Sequence, residues 1–154
     1  MNSIKICFIA STGGHFEQLM MLKPLIDKYD SFLVTERTDY SLNVGKRKVY
    51  YLRQVNRYEK TVIIKMILNS IRSLYIFIKE KPDMVISLGA LATIPMCLLC
   101  KIFRKKLIFI ESFAKVTSPT LTGKLLYKYA DRFYIQWEEM EKIYPKAIYE
   151  GGIY

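Results

Sequence analysis

The sequence predicts a Rossmann-like α/β domain, in which a doubly wound, mostly parallel sheet is covered by helices on both faces. Three observations predict this fold class. Short apolar runs alternate with helical stretches along the whole chain. These runs are apolar throughout, as strands buried on both faces of a sheet are. The chain has 154 residues, enough for one well-buried domain. No repeat or linker divides it, so we predict a single domain over residues 1–154.

The N-terminal half contains three predicted strands and two predicted helices. The run "IKICFIA" predicts a strand over residues 4–10, because it is rich in β-branched residues and ends at a glycine turn. Residues 16–29 have a helical pattern, in which we expect Pro24 to produce a kink. "SFLVTE" (31–36) and "VYYL" are the second and third strands, and a charged loop separates them. A long helix is predicted over residues 58–79, where the proline of "EKPD" ends it.

The C-terminal half continues the alternation. "MVISLG" is the fourth predicted strand, a helix follows over residues 91–103, and "KLIFIES" is the fifth strand. "SPTLTGKLLYKYA" is a loop that enters a helix, and "RFYIQW" is the sixth strand. "EEMEKIY" is a short helix, and "AIYEGGIY" is predicted to be a last strand. Ligands of such folds bind beyond the carboxyl ends of the strands, so "STGGH", "TERTD", "LGALAT" and "ESFAKVTSPTLTGK" predict one shared binding rim.

The segment "STGGH" is the first candidate for a phosphate-binding loop. Ser11, Thr12, Gly13 and Gly14 follow the first strand, and the glycines let backbone N–H groups approach a ligand at the start of a helix. The segment matches neither the P-loop nor the dinucleotide-binding pattern. His15 titrates near neutral pH and can act as a base or a phosphate donor. The alternative is a capped tight turn with a structural histidine.

Further candidates follow the fourth and fifth predicted strands. Glu111 is placed to hold a hydroxyl group or to orient His15, and its alternative is a solvated or helix-capping glutamate. The hydroxyl groups and the lysine of "SPTLTGK" are suited to a sugar or a phosphate, although they would equally cap the next helix. The candidates for binding the acceptor or its phosphates in these segments are Gly89, Ser112, Ser118, Thr120, Thr122, Gly123 and Lys124.

The formal net charge of +10, from 24 basic and 14 acidic residues, favours an anionic partner. The predicted helix "TVIIKMILNSIRSLYIFIK" is apolar on more than the side that a sheet would cover. The next helix ends in an apolar patch beside basic residues, which favours contact with an anionic membrane surface over two core helices with solvated basic ends. Its members are Leu98, Leu99, Lys101, Ile102, Phe103, Arg104, Lys105 and Lys106. The basic clusters follow no nucleic-acid-binding motif, so we expect no nucleic acid.

The three cysteines, Cys7, Cys97 and Cys100, are typical of a reducing compartment rather than a disulfide framework. Cys97 and Cys100 have CxxC spacing, but no second Cys or His pair is near in the sequence, so we expect a buried helical pair rather than zinc or redox chemistry. The N-terminus lacks the pattern of a signal peptide. No run of 18 apolar residues predicts a membrane span. We expect a cytoplasmic chain that binds peripherally to the inner face of the plasma membrane.

Ordered blocks across the chain resemble one family: "STGGHFEQL", "VTERTD", "PDMVISLGALATIP", "IFIESFAKVTSPTLTGKLLYKYADRFYIQW" and "YPKAIYEGGIY". This is the capsular and exopolysaccharide biosynthesis family related to the membrane-side subunit of the two-subunit N-acetylglucosaminyltransferase of asparagine-linked glycosylation. The first block also resembles the acceptor half of MurG. The resemblance implies one half of a GT-B glycosyltransferase, which binds the membrane and a lipid-linked acceptor, while a separate polypeptide binds the nucleotide sugar.

That resemblance also implies roles for the candidate residues. "STGGH" would hold the diphosphate of a lipid-linked saccharide, and His15 would be the base, helped by Glu111. We expect displacement with inversion, no metal, and no cofactor bound by this chain alone, since a UDP-sugar would come with the partner. Aromatic residues near the C-terminus are candidates for docking the partner or for ordinary packing: Trp137, Tyr144, Tyr149 and Tyr154. The alternatives are a small self-contained phosphate- or nucleotide-binding enzyme and a membrane scaffold.

Overall fold

The computed structural model describes residues 4–39 and 44–154. Their strands form one seven-stranded sheet in the order β3-β2-β1-β4-β5-β6-β7, and every neighbouring pair is parallel. The predicted fold class is therefore confirmed. The strands are β1 (Lys5–Ile9), β2 (Asp30–Glu36), β3 (Lys48–Leu52), β4 (Met84–Ser87), β5 (Lys106–Ile110), β6 (Arg132–Ile135) and β7 (Ile148–Tyr149).

The order of the strands reverses beside β1, which pairs with β2 on one side and with β4 on the other. Ile9 at the end of β1 is aligned with Val34 of β2 and with Ser87 of β4. Loops that leave β1 and β4 therefore diverge to opposite sides of the sheet and open a crevice between them. Such a switch point is where open α/β sheets bind ligands.

The helices are α1 (Gly14–Met21), α2 (Lys23–Lys28), α3 (Val62–Glu80), α4 (Ile94–Ile102) and α5 (Leu121–Leu126), with 3₁₀ turns at Leu91–Thr93 and Glu138–Lys142. The predicted kink at Pro24 is instead a break between two helices. Pro24 lies in the first turn of α2, where its missing N–H costs no hydrogen bond. The long helix begins four residues later than predicted, at Val62, after a turn segment.

The core consists of two buried clusters, one on each face of the sheet. Alternate residues of β1 enter opposite clusters: Cys7 lies in one, and Phe8 lies in the other. Phe16 and Ile26 bring α1 and α2 to the face of Phe8. The other face is covered by side chains of α3, α4 and α5. The strands read as continuous apolar runs because both of their faces are buried.

The last strand is shorter than predicted and contains only Ile148–Tyr149. The chain leaves the sheet at Gly151, whose φ of 85° is in the left-handed region. Ile153 N–H then donates a hydrogen bond to Gln136 Oε1 (3.1 Å), which fastens the tail to the carboxyl end of β6. The tail therefore lies at the edge of the sheet where the ligand-binding loops also lie.

All three cysteines are buried and free. Burial raises the pKa of the Cys97 thiol to about 12 and that of the Cys100 thiol to about 11, so both are protonated at neutral pH. In the described part of the chain, no cluster of three or more His, Cys, Asp or Glu side chains has the arrangement of a metal site. Within the same ranges, no helix has the length and apolar character needed to cross a bilayer.

Candidate functional site

A cavity of about 630 Å³ lies at the carboxyl edge of the sheet. We call it the rim cavity. His15, Gly89, Glu111 and Thr120 line it, and they follow β1, β4 and β5. These segments are far apart in sequence but leave the same edge of a parallel sheet, so they meet. The structure places the predicted rim residues His15, Gly89, Glu111, Thr120 and Thr122 around one space.

The glycine loop is held by hydrogen bonds from its first two residues. Ser11 N–H donates to Gly89 O (3.3 Å), and Thr12 N–H donates to Glu36 Oε2 (3.4 Å). Gly13 has a φ of +70°, which favours glycine, and none of the described side chains caps α1. Residues 11–14 do not line the rim cavity themselves, and the loop reaches the cavity through His15.

Gly14 differs from Gly13 because nothing inside the chain requires it to be a glycine. Its φ is not in the left-handed region, and an added Cβ would meet no described atom within 4 Å outside its own helical turn. A glycine that neither backbone geometry nor internal packing demands keeps open space beside the first N–H groups of α1. That space is available to a ligand or to another polypeptide.

His15 is half-buried at the start of α1 and lines the rim cavity. Within the described ranges its buried Nδ1 atom has no hydrogen-bond partner. Burial lowers the pKa of the imidazole, although a hydrogen bond with the Leu88 backbone and the charge of Glu111 oppose this effect. The ring is therefore neutral at neutral pH. A neutral imidazole can accept a proton, and the nitrogen left unpaired here is the buried Nδ1.

Glu111 does not have the free carboxylate that a base or a ligand contact would need. Only 1% of its surface is exposed. Its oxygens accept hydrogen bonds from Thr120 Oγ1 (2.8 Å), Thr120 N–H (3.2 Å), Ser112 N–H (2.9 Å) and Tyr144 O–H (3.0 Å). The predicted helper of His15 is thus a structural carboxylate that fixes the loop before α5.

The position of the Glu111 carboxylate requires residue 123 to be a glycine. An added Cβ would lie 2.1 Å from Glu111 Oε2, which is closer than real Cβ atoms approach their neighbours. Gly123 N–H also donates to Thr120 Oγ1 (2.8 Å), so Thr120 caps α5. Helix capping, the alternative role that the sequence analysis gave for the hydroxyl groups of "SPTLTGK", is therefore present at Thr120. Thr120 has both features, because it caps a helix and lines the rim cavity.

The remaining candidates of this region do not line the rim cavity. Ser112 is buried, and its Oγ accepts a hydrogen bond from Ala114 N–H (3.3 Å). Ser118 and Lys124 are exposed on the outer side of the loop and of α5. The predicted binding loop is therefore mainly a rigid support, with Thr120 and Thr122 as its contributions to the cavity wall.

Sequence reasoning missed one wall of the rim cavity, the segment of residues 54–58 between β3 and α3. Arg57 of this segment and Lys115 are the cationic residues that line the cavity. Val55 N–H donates to Glu36 Oε1 (2.9 Å), so the Glu36 carboxylate joins this segment to the glycine loop. Burial raises the pKa of Glu36. The available signal was a glutamate at the carboxyl end of a strand with an apolar centre.

The predicted membrane patch at the end of α4 is only partly exposed. Leu98 and Leu99 are half-buried and pack against the core, contrary to the prediction. Ile102 is 72% exposed, and the Phe103 ring stacks on Phe77 of α3 with their centroids 5.0 Å apart. Three of the four predicted basic residues form ion pairs: Lys101 and Lys106 with Asp131, and Lys105 with Asp83. Exposed ion pairs reduce the free charge available to a membrane.

A larger apolar surface lies on α3. The exposed apolar side chains of this helix are Ile63, Ile64, Ile67, Leu68, Ile71, Leu74, Tyr75 and Ile78, and we call them the α3 apolar face. At about 100° per residue they share one side. The buried side includes the polar residues Asn69, Ser73 and Glu80. Ile76 and Phe77 also enter the core, but the helix exposes more apolar side chains than an ordinary surface helix, which buries its apolar stripe.

The aromatic residues predicted to dock a partner fall into two groups. The prediction that Tyr144 docks a partner is wrong, since this residue is 3% exposed and its hydroxyl donates a hydrogen bond to Glu111. Burial, and then the charge of Glu111, raise the pKa of this tyrosine. Tyr149 and Tyr154 are exposed, and Trp137 is half-buried.

Trp137 and Tyr154 belong to a small aromatic cluster around Phe113. The Phe113 ring lies 4.8 Å from Trp137 and 5.0 Å from Tyr154, measured between centroids. Trp137 Nε1 donates to Phe113 O (2.6 Å). The cluster is thus attached to the loop that leaves β5, next to the residues that form the rim cavity.

Comparison with protein families identifies the group to which this fold and site belong. Residues 6–153 match the family described as "Oligosaccharide biosynthesis protein Alg14 like". The match spans almost the whole chain. The chain belongs to the Alg14-like family.

Two curated relatives in this family illustrate the similarity. The human protein named "UDP-N-acetylglucosamine transferase subunit ALG14" is 25% identical over 180 residues, which cover 98% of this chain and 83% of the human protein. The protein of the same name from Yarrowia lipolytica is 25% identical over 173 residues, covering 96% of this chain and 80% of the relative.

Solved structures show the same architecture in one half of larger proteins. MurG of Acinetobacter baumannii superposes with a TM-score of 0.71 at 14% identity, over 88% of this chain and 42% of MurG. A UDP-N-acetylglucosamine 2-epimerase from Rickettsia bellii superposes with a TM-score of 0.76 at 14% identity, over 99% of this chain and 46% of the epimerase. This Alg14-like chain therefore has the Rossmann-like fold of one GT-B half, and it spans less than half the length of either solved protein.

Proposed function

We propose that this chain is the acceptor- and membrane-binding subunit of a two-component glycosyltransferase, whose other subunit binds a nucleotide sugar. The observation that carries the proposal is the family match over residues 6–153, on a chain that forms one GT-B half. The curated relatives are named as subunits of a UDP-N-acetylglucosamine transferase. A GT-B site lies between two Rossmann-like units, so one unit supplies one wall of the reaction cleft.

The rim cavity is the proposed site for the sugar end and the diphosphate of a lipid-linked acceptor. Arg57 and Lys115 contribute positive charge to its wall, and His15, at the uncapped start of α1, also lines it. His15 takes the proton of the acceptor hydroxyl as its oxygen attacks the anomeric carbon of the nucleotide sugar. The bond from that carbon to the nucleotide diphosphate breaks, and the configuration inverts. The partner binds the departing nucleotide, which is UDP in this proposal, and the reaction uses no metal.

Glu111 has a positioning role in this mechanism. Its four hydrogen bonds hold Thr120 and the start of α5 against the cavity. Removing the carboxylate would leave these donors unpaired in a buried place, which costs about 1–3 kcal/mol for each group. We therefore assign proton transfer to His15 alone and the shape of the acceptor site to Glu111.

The α3 apolar face is the proposed membrane contact. Ile102 and Phe103, at the end of α4, are exposed apolar residues that we include in this contact, and Phe103 stacks on the buried Phe77 of α3. Eight exposed apolar side chains on one helix form a surface of the kind that binds membranes or other proteins. The contact is peripheral and lies on the cytoplasmic side of the plasma membrane, where a lipid-linked acceptor and a cytoplasmic partner would meet.

The cluster of Phe113, Trp137 and Tyr154, together with the exposed Tyr149, is the proposed docking area for the nucleotide-sugar-binding subunit. It lies at the same edge of the sheet as the rim cavity, as a second wall of the cleft requires. Exposed aromatic residues are common among the residues that contribute most to the stability of protein interfaces. The product is proposed to be a lipid-linked precursor of a capsular or extracellular polysaccharide.

Equilibrium binding to the isolated chain tests this division of labour. A lipid-linked diphosphate saccharide with a shortened lipid should bind, and its affinity should fall in the Arg57→Gln and Lys115→Gln variants. A UDP-sugar should bind only after the partner is added. Tight binding of a UDP-sugar to the isolated chain would instead support a self-contained enzyme, and absence of binding to either ligand would support a scaffold.

A further inference from the structure

A groove of about 870 Å³ between β3 and α3 is larger than the rim cavity. Arg37, Arg53 and Arg72 line it, and we call it the arginine groove. These residues come from three elements: Arg37 follows β2, Arg53 follows β3, and Arg72 lies within α3. Sequence reasoning identified no site here, because the three arginines are separated by 16 and 19 positions.

The backbone of the arginine groove is fixed by hydrogen bonds that are at least partly shielded from solvent at Asn69. Arg37 N–H donates to Leu52 O (2.9 Å). Arg53 N–H donates to Asn69 Oδ1 (2.8 Å), and Asn69 Nδ2 donates to Arg53 O (2.9 Å). Asn69 is almost fully buried. Its amide thus holds both backbone groups of Arg53 beside α3, so that Arg53 and Arg72 line the same space.

The groove is positively charged: among the described residues, Arg37, Arg53, Arg72 and Lys65 line it, against one carboxylate, that of Asp39. Within residues 4–39 and 44–154, no carboxylate forms an ion pair with Arg37, Arg53 or Arg72. Lys65 also lines the groove, but it is paired with Glu59 (2.7 Å). The guanidinium group of Arg72 lies 5.4 Å from the centroid of the Tyr75 ring, which orients it along the helix. The groove therefore presents three guanidinium groups suited to a phosphate.

Apolar side chains of the same groove belong to the α3 apolar face. Leu68, Ile71 and Tyr75 line the groove and are exposed. Cationic and apolar groups therefore meet where the arginine groove borders the α3 apolar face, as they do where a protein lies at the boundary between lipid headgroups and acyl chains. A free anion would use only the arginines. A lipid would use both parts.

We propose that the arginine groove binds the phosphate of an anionic phospholipid headgroup while the α3 apolar face lies in the bilayer interface. This inference rests on the proposed membrane contact and adds a headgroup site to it. The groove adjoins the rim cavity at Gln54, which lines both, but His15, Arg57 and Lys115 line only the rim cavity. Binding here would fix the rotation of α3 about its own axis relative to the membrane.

Sedimentation of the full chain with vesicles tests the proposal. The groove variant Arg37→Gln/Arg53→Gln/Arg72→Gln is compared with the matched variant Lys28→Gln/Lys128→Gln/Lys142→Gln, which loses the same charge at exposed positions outside the groove. On phosphatidylglycerol vesicles at about 0.1 M salt, the groove variant should bind about tenfold more weakly or worse, and the matched variant about threefold more weakly at most. Equal losses would mean diffuse attraction and would overturn the proposal.

Two further arms separate the alternatives. The charge-conserving variant Arg37→Lys/Arg53→Lys/Arg72→Lys should still lose binding severalfold, because lysine cannot hold a phosphate with two parallel hydrogen bonds. Full retention would contradict a headgroup site in which the arginines hold the phosphate with paired hydrogen bonds. Transfer to a soluble, shortened acceptor should be unchanged in the groove variant. A loss of transfer in the groove variant would assign the groove to the transfer reaction and overturn the proposal. The membrane contact of the α3 apolar face is tested separately by the serine variants described below.

Discussion

Gly14 and Gly123 are glycines for different reasons, and the difference locates the site. Gly123 has the Glu111 carboxylate where a Cβ would be, so the fold itself requires it. Gly14 has open space and an unexceptional φ, so any constraint on it must come from a molecule outside the chain. The segment around Gly123 thus supports the structure, whereas the segment around Gly14 is the part of the rim that is open to a ligand.

This pair gives a first prediction. Gly123→Ala should destabilise the chain by about 1–3 kcal/mol, the cost of overpacking a filled site. Gly14→Ala should leave stability unchanged or raise it by up to about 1 kcal/mol, because alanine is the better helix former. Transfer should nevertheless fall in Gly14→Ala when both subunits are present. Chemical denaturation measures the first effect and sugar transfer the second, and an active Gly14→Ala variant would remove the glycine loop from the site.

His15 carries the chemical prediction at the same scale. His15→Ala and His15→Gln should each lower the transfer rate of the assembled enzyme by about 10²-fold or more, since a general base contributes 10²–10⁴-fold. Glutamine keeps polarity at this position but cannot take the proton. Circular dichroism should show both variants folded. A loss of only a few-fold in both would reduce His15 to a structural residue.

The pH dependence follows from the direction of the His15 pKa. Burial lowers this pKa below its ordinary value of 6.5, so the base form persists to lower pH than a free imidazole allows. The acidic limb of the transfer rate should therefore lie below pH 6.5, and a limb above that value would contradict the assignment. The unfolded chain binds the proton more readily, so the His15 contribution to stability decreases as pH falls below 6.5. His15→Gln should lack that decrease.

At the scale of elements, α3 is the helix whose burial pattern departs furthest from the usual rule. Its inner side uses Glu80 to accept hydrogen bonds from Lys48 (2.8 Å) and Tyr50, and to pair with Lys5 (2.6 Å). Burial alone would raise the pKa of Glu80, but these partners outweigh it and lower the pKa to about 2. Polar partners on the sheet thus hold the helix from within, which leaves its apolar side free for another surface.

The α3 apolar face gives the prediction at this scale. Ile63→Ser/Ile67→Ser should weaken vesicle binding about tenfold or more, since burying each side chain stabilises by about 1.5–3 kcal/mol. Ile63 is 71% exposed and Ile67 is 56% exposed, so the stability of the chain should change little. The matched control is Met21→Ser/Leu25→Ser, which removes two exposed apolar side chains on α1 and α2. Equal vesicle binding in both variants would place the membrane contact elsewhere.

Much of the element pattern was predictable because both sheet faces are buried and the strands read as apolar runs. Pro24 was misassigned because proline is disfavoured inside a helix but suits a first turn, and the sequence does not say which. The half-burial of Leu98 and Leu99 depends on how α4 packs on the core, which periodicity alone does not give.

The candidate site was predictable only in part, for a related reason. His15 and the glycine turns can be recognised from the sequence, because a histidine and glycines stand directly after predicted strands. Whether Glu111 is free or satisfied depends on Thr120 and Tyr144, which lie 9 and 33 positions away. Arg57 and the arginine groove have no local motif, since they are assembled by the topology of the sheet.

At the scale of the whole molecule, buried amide groups connect the glycine-loop helix to the C-terminal tail. Gln136 Nε2 donates to Gln18 Oε1 (2.9 Å) and to Glu111 O (2.8 Å), while its Oε1 accepts from Ile153 N–H. Gln18 lies on α1, three residues after His15, and also accepts from Phe113 N–H (3.1 Å). The proposed docking cluster and the proposed base are thus attached to one rigid network.

The tail gives the prediction at this scale. Truncation after Tyr149 removes the Ile153–Gln136 hydrogen bond and the contact of Tyr154 with Phe113. Co-purification with the nucleotide-sugar-binding subunit should be lost. Tyr154→Ala should weaken it by about tenfold or more, as expected for an aromatic interface residue. Tyr129→Ala removes another exposed tyrosine and should have no effect. Unchanged co-purification of both the truncated chain and Tyr154→Ala would place docking on a different surface.

Sugar transfer to a lipid-linked acceptor, measured with this chain alone, with its partner alone and with both, tests the central claim most directly. One Rossmann-like unit should give negligible turnover by itself, and mixing the two subunits should restore transfer. Turnover by the purified chain alone at an ordinary enzymatic rate, about 1–10³ per second, would contradict the account.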